Sequence, residues 1–125
     1  MSSTKNKRLS GSMYEDVAVK YLLEKGYFII QRNFRCHMGE IDIIARDGQT
    51  IVFVEVKYRK NTASGHPLES VTLAKQKKIS QVALAYMNLN RISVYNTMIR
   101  FDVIGICGDE IQHIENAFMY GGGSF

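Results

Sequence analysis

At 125 residues with a hydrophobic fraction of 46%, the chain has the size and composition of one globular domain with one core. No apolar run is long enough to span a bilayer, the basic start "MSSTKNKRLSGS" leads into no apolar signal segment, and Cys36 and Cys107 are too isolated for a disulfide framework. A reduced, cytoplasmic protein is expected, and its net charge of +4 suits a polyanionic partner as well as a merely solvated surface.

Residues 1–10, with Lys5, Lys7 and Arg8, are expected to form a flexible basic arm ahead of a single domain over 11–118. Met13, Val17, Tyr21 and Leu22 recur at helical spacing, with Asp16, Lys20 and Glu24 opposite, so residues 13–25 are predicted helical. Ser12-Met13-Tyr14-Glu15 fits a capping box at its start, and Gly26 is a stop signal. "YFIIQRNFR" is rich in aromatic and β-branched residues and is a predicted strand. "MGEIDIIAR" and "TIVFVEVKYR" are two more, joined at Asp47-Gly48, a strong hairpin signal.

The polar loop "KNTASGHP" leads to a predicted helix over 68–88 with Val71, Ile79, Val82, Ala83 and Tyr86 as its apolar set. "MIRFDVIGI" is a further strand, and "DEIQHIENAF" a short last one after Gly108-Asp109. Residues 119–125, ending "GGGSF", are expected to be a flexible tail. The order of elements predicts an α/β domain, a mixed sheet flanked by helices.

The central hairpin places charges where apolar residues would serve a buried sheet: Asp42 among isoleucines, and Glu55 and Lys57 among valines. With Asp47-Gly48 as the loop, Asp42 falls opposite Phe53 and Glu40 opposite Glu55, and all share one face with Lys57. Ile41, Ile43, Val52, Val54 and Val56 take the other face. A three-residue loop would send Asp42 to the face away from Glu55. Two carboxylates and an ammonium at a strand end can bind Mg²⁺ or Mn²⁺ and activate water. A cross-strand ion pair at an exposed edge is the plainer reading of the same residues.

Asp42, a turn, and then Glu55-Val56-Lys57 on an apolar strand resemble the D…(D/E)xK signature of the PD-(D/E)xK nuclease superfamily, with Ile41 rather than proline before the aspartate. The helix bearing Glu15, "GEIDIIARDG" and "FVEVKYR" are more closely similar to the YraN-type family of endonuclease-like proteins, itself similar to archaeal Holliday-junction resolvases. This similarity runs from about Gly11 to Phe118. It implies a restriction-endonuclease-like αβββαβ core and a Mg²⁺- or Mn²⁺-dependent DNA endonuclease, with branched DNA among its candidate substrates and a homodimer as its form. By position it implies Asp42, Glu55 and the Val56 carbonyl as metal ligands and Lys57 as the water-activating group. It also assigns Glu15 and Gln76 to the site from the first and second helices. Lys75, Lys77, Lys78, Arg59 and Lys60 are candidate phosphate contacts.

A non-catalytic DNA-binding or protein-interaction module on the same fold is the alternative, and a charged surface network is the third. Cys36-His37 lacks a second ligand pair for zinc, His66 reads as a turn residue, and His113 sits on a predicted edge strand without an evident partner. Asp102 interrupts an apolar strand much as Asp42 does, and pairing with Arg100 would explain it.

Overall fold

In the computed structural model, which describes residues 3–60 and 65–125 and side chains from Ser12 onward, the chain runs through α1 (Ser3–Glu24), β1 (Phe28–Cys36), β2 (Gly39–Asp47) and β3 (Thr50–Tyr58). A 3₁₀ turn (Pro67–Ser70), α2 (Leu73–Leu89), β4 (Ile99–Cys107) and β5 (Glu110–Phe118) follow. The strands form one sheet in the order β1-β2-β3-β4-β5. β3 and β4 are parallel and the other neighbours antiparallel. Parallel neighbours need a crossover, which α2 supplies. The result is the expected mixed α/β sheet flanked by helices, consistent with a restriction-endonuclease-like core. None of the described helices is long and apolar enough to cross a membrane.

Each helix covers one face. Ala18 and Leu22 of α1 pack with Ile43, Ala45, Val52, Val54, Ile104 and Ile106. Ile79, Val82, Ala83, Tyr86 and Met87 of α2 pack with Phe34, Ile44, Phe53, Phe101, Val103 and Phe118. Strand alternation then directs the end of β3: Glu55 and Lys57 follow Phe53 towards α2, and Val56 and Tyr58 follow Val54 towards α1. Tyr58 accordingly stacks on Tyr14 of α1, with ring centroids 4.0 Å apart. Gly105 of β4 is where Pro67 seats, since a Cβ there would lie 2.2 Å from the proline Cγ.

Several expectations change. α1 continues back to Ser3, so Ser12 lies inside the helix and caps nothing, and Met13 and Val17 are exposed. The buried stripe is Ala18 and Leu22, flanked by half-buried Tyr14, Val19 and Tyr21. The side chains of Lys5, Lys7 and Arg8, and loop residues 61–64, lie outside the described residues. The second helix is split: Pro67 opens the 3₁₀ turn, and Thr72 starts α2 by accepting the Lys75 N–H on its side chain. β5 is as long as the other strands, nine residues. The tail expected to be flexible folds back on α2, where Gly121 N–H donates to Ser80 and Gly123 N–H to Gln76.

Candidate active site at the open end of the central hairpin

The hairpin turns one residue later than predicted. Asp47 pairs with Thr50 and Ile44 with Phe53, leaving Gly48-Gln49 as the loop, with Gly48 at φ +59° in the first central position. The loop still has two residues, so the parity that keeps Asp42 with Glu55 survives, although Asp42 no longer faces Phe53. The ladder stops at Ile43↔Val54. Ile41, expected beside Ile43, packs instead with Phe34 on the α2 side. This change of face coincides with Asn33 on the neighbouring strand, at φ +53°, which breaks the alternation between Arg32 and Phe34.

Where β2 leaves β3, the Asp42 side chain takes over from the backbone. Pairs flanking a two-residue loop exchange both hydrogen bonds, and so does every second pair beyond them, so a continued ladder would send the Val56 N–H to Ile41. The Val56 N–H instead donates to Asp42 Oδ2 at 2.8 Å. Asp42 is thereby fixed in the gap at the sheet end, next to the buried Glu55.

The carboxylates are crowded. Burial pushes the Asp42 carboxyl up to about 7, with Glu55, Glu15 and Glu40 adding repulsion against the Val56 hydrogen bond. Glu55 is raised as well, chiefly by burial, while Lys75 and Lys57 pull it back. Both ammonium groups approach the same oxygen: Lys57 Nζ lies 3.6 Å and Lys75 Nζ 3.7 Å from Glu55 Oε1. Glu15, half-buried on α1, lies 3.8 Å from Arg32, which bonds mainly to Asp16 at 2.8 Å. Glu40 does not face Glu55; it pairs with Arg35 at 2.9 Å.

Asp42, Glu55 and Lys57 therefore gather at one end of the sheet, joined by Lys75, which sequence reasoning had placed only on a DNA-binding surface; Glu15 acts on Asp42 only as a charge on α1. The signal for Lys75 was present: it precedes Ile79 and Val82 by four and seven residues, at the head of the buried stripe of α2. Gln76 points elsewhere. Its amide donates to the Val71 carbonyl at 2.9 Å and accepts the Gly123 N–H at 2.8 Å, tying the tail to α2. Arg59 bonds the His66 carbonyl and Ser70 Oγ, bracing the 3₁₀ turn. Lys60, Lys77 and Lys78 are exposed.

A second polar cluster lies on the α1 face. The Asp102 carboxylate bonds Arg100 at 2.9 Å, His113 Nε2 at 2.7 Å and the Asn116 N–H at 3.0 Å. Burial alone would raise its pKa, but these bonds outweigh burial and hold it below the usual carboxylate range. Like Asp42, Asp102 takes a backbone N–H at a ladder irregularity, here between Phe101 and Val103. Unlike Asp42, it also meets a guanidinium and an imidazole. His113, which looked partnerless, is a buried member of this cluster and also contacts Tyr21 and Lys25.

A sequence profile described as "Uncharacterised protein family UPF0102" matches residues 14–106. The chain belongs to that family. UPF0102 proteins similar to it include one from Geotalea uraniireducens, 50% identical over 90% of this chain and 91% of the relative. Another, from Lachnoclostridium phytofermentans, is 47% identical over 90% and 95%. A third, from Aliivibrio fischeri, is 43% identical over 97% and 100%. The UPF0102 match contains Glu15, Asp42, Glu55, Lys57 and Lys75, and it ends before His113.

The site's donor set suits a hard divalent cation. Among the described residues no group of three or more His, Cys, Asp or Glu is gathered to hold a metal. An ion here would use two carboxylates and the Val56 carbonyl, with water and phosphate oxygens filling its shell, a composition typical of Mg²⁺. Asp42, raised by burial and by its carboxylate neighbours, would gain charge compensation from such an ion, and at Glu55 the ion would add to what its two lysines supply.

Proposed function

We propose that this chain is a Mg²⁺- or Mn²⁺-dependent DNA endonuclease. The observation that carries the reading is the convergence of Asp42 and Glu55 at the sheet end, with Lys57 and Lys75 within 4 Å of Glu55 Oε1. A purely structural pair has little use for two crowded carboxylates whose pKa values are both raised by burial.

Asp42, Glu55 and the Val56 carbonyl would hold the cation. When bound, such an ion polarises a phosphodiester and lowers the pKa of its water. The Val56 N–H keeps Asp42 in one orientation, so its free oxygen faces the site. Lys57 donates to the attacking water or a non-bridging phosphate oxygen and offsets charge developing there. Glu15 would add negative charge near Asp42 from α1. The exposed Lys60, Lys77 and Lys78 attract the sugar-phosphate backbone, giving salt-dependent affinity without sequence choice. The resemblance to junction resolvases adds branched DNA as a substrate and a homodimer as the acting form.

The test is cleavage of labelled linear, flapped and four-way-junction DNA with Mg²⁺, Mn²⁺ or chelator, comparing the wild type with Asp42→Asn and Lys57→Ala. Metal-dependent cutting that falls by at least about a hundredfold in both variants is expected. Salt-sensitive binding without cutting, unchanged in both variants, would replace the enzyme with a DNA-binding module.

A further inference from the structure

The two lysines on Glu55 differ in what holds them. Lys57 is part of β3, two residues from Glu55, and its side chain is 26% exposed; Lys75 reaches in from α2 and is 40% exposed. Neither Nζ is at hydrogen-bonding distance from the oxygen they share. Lys75 is therefore the more exposed of two loosely held counter-ions, on a long stem from another element, and both ammonium groups address the oxygen that a cation would need.

We propose that Lys75 is an exchangeable counter-ion: its ammonium neutralises Glu55 in the metal-free protein and is driven off the carboxylate when a divalent cation binds. Two positive charges on one buried carboxylate oxygen cannot both be accommodated with a third, divalent one. Lys57 is confined by its strand, so Lys75 is the group that yields. Once released it remains at the mouth of the site, where an anionic phosphodiester approaches. Linkage makes the effect reciprocal: whatever weakens the Lys75–Glu55 pair tightens the metal. This rests on the metal-site reading above and adds to it an internal competitor for the cation.

The test has two readouts, neither of them activity. The first is Mn²⁺ and Mg²⁺ affinity by calorimetry for the wild type, Lys75→Met and Lys77→Met. Methionine keeps most of the stem while removing the charge, and Lys77 is an exposed control for the general loss of one positive charge. Lys75→Met is expected to bind metal about tenfold more tightly than the wild type, and Lys77→Met within about twofold, because exposed charges are largely screened. The second readout is the rate of amine-reactive labelling of Lys75, followed by peptide mass spectrometry. It is expected to rise on metal addition while that of Lys77 stays constant. Metal binding with equal affinity in all three proteins and unchanged Lys75 labelling would overturn the exchange and leave the metal site standing. Absence of metal binding in every protein would overturn both.

Discussion

Replacing Asp42 by Asn should stabilise the metal-free protein at alkaline pH. The Asp42 carboxyl moves from an ordinary value of 3.8 to about 7 on folding. Between those values the folded state holds a proton that the unfolded state has lost. Stability therefore falls as pH rises across that window, and the full penalty applies above 7. A difference of about three pH units at about 1.4 kcal/mol each sets an upper bound of roughly 4 kcal/mol. Relaxation of the site and sharing of protons with Glu55 reduce this, so a gain on the order of 2 kcal/mol at pH 8.5 is expected for Asp42→Asn. The amide oxygen of Asn still accepts the Val56 N–H, so the hydrogen bond that fixes the site is kept. The assay is urea unfolding of both proteins in chelator from pH 4 to 8.5, with the gap closing as pH approaches 4. A variant that is no more stable at pH 8.5, or a gap that does not change with pH, would refute the account of a crowded carboxylate.

Metal affinity should fall steeply below pH 7, because the cation competes with the proton on Asp42; calorimetry at pH 6 and pH 8 in two buffers checks both the affinity and the proton release. Gly105→Ala puts a Cβ 2.2 Å from Pro67 Cγ and should cost about 1–3 kcal/mol by overpacking, read as a lower thermal midpoint. Asp102→Ala takes an acceptor from His113 and from the half-buried Arg100, which keeps Asp47 at 3.0 Å, and should cost about 1.5–3 kcal/mol, measured by denaturant unfolding at pH 7. Since folding lowers the Asp102 carboxyl below its ordinary 3.8, its contribution is present above that value and is lost as pH falls through its lower folded value. Acid unfolding of the wild type should therefore be steeper than that of Asp102→Asn.

The sheet was legible because period-two apolar runs and the glycine turns mark strands independently of their partners. Parity was legible too: a two-residue loop at either of two adjacent positions leaves Asp42 with Glu55. The register itself was not, because Asp47-Gly48 and Gly48-Gln49 are both reasonable hairpin centres and both put Ile43 and Ala45 on the α1 face with Val52 and Val54. The buried stripe of α1 was misread because Met13 and Val17 are apolar yet exposed, whereas the small Ala18 is fully buried. His113 and Asp102 meet across two strands whose pairing depends on an irregularity at Asn116, φ +54°, which single-strand periodicity does not report. Gln76 shows the reverse limit: its spacing suits the site, but a backbone carbonyl and a returning tail claim both ends of its amide.

The carboxylate that replaces a backbone acceptor at Val56 also gives the protein a built-in reporter. An amide proton bonded to an ionised oxygen resonates at lower field than one bonded to a neutral oxygen, and it exchanges slowly while the bond persists. The Val56 cross-peak in an amide spectrum should therefore follow the ionisation of Asp42 directly as pH is varied. The same peak will register any cation drawing on that carboxylate, with every residue of the site left in place.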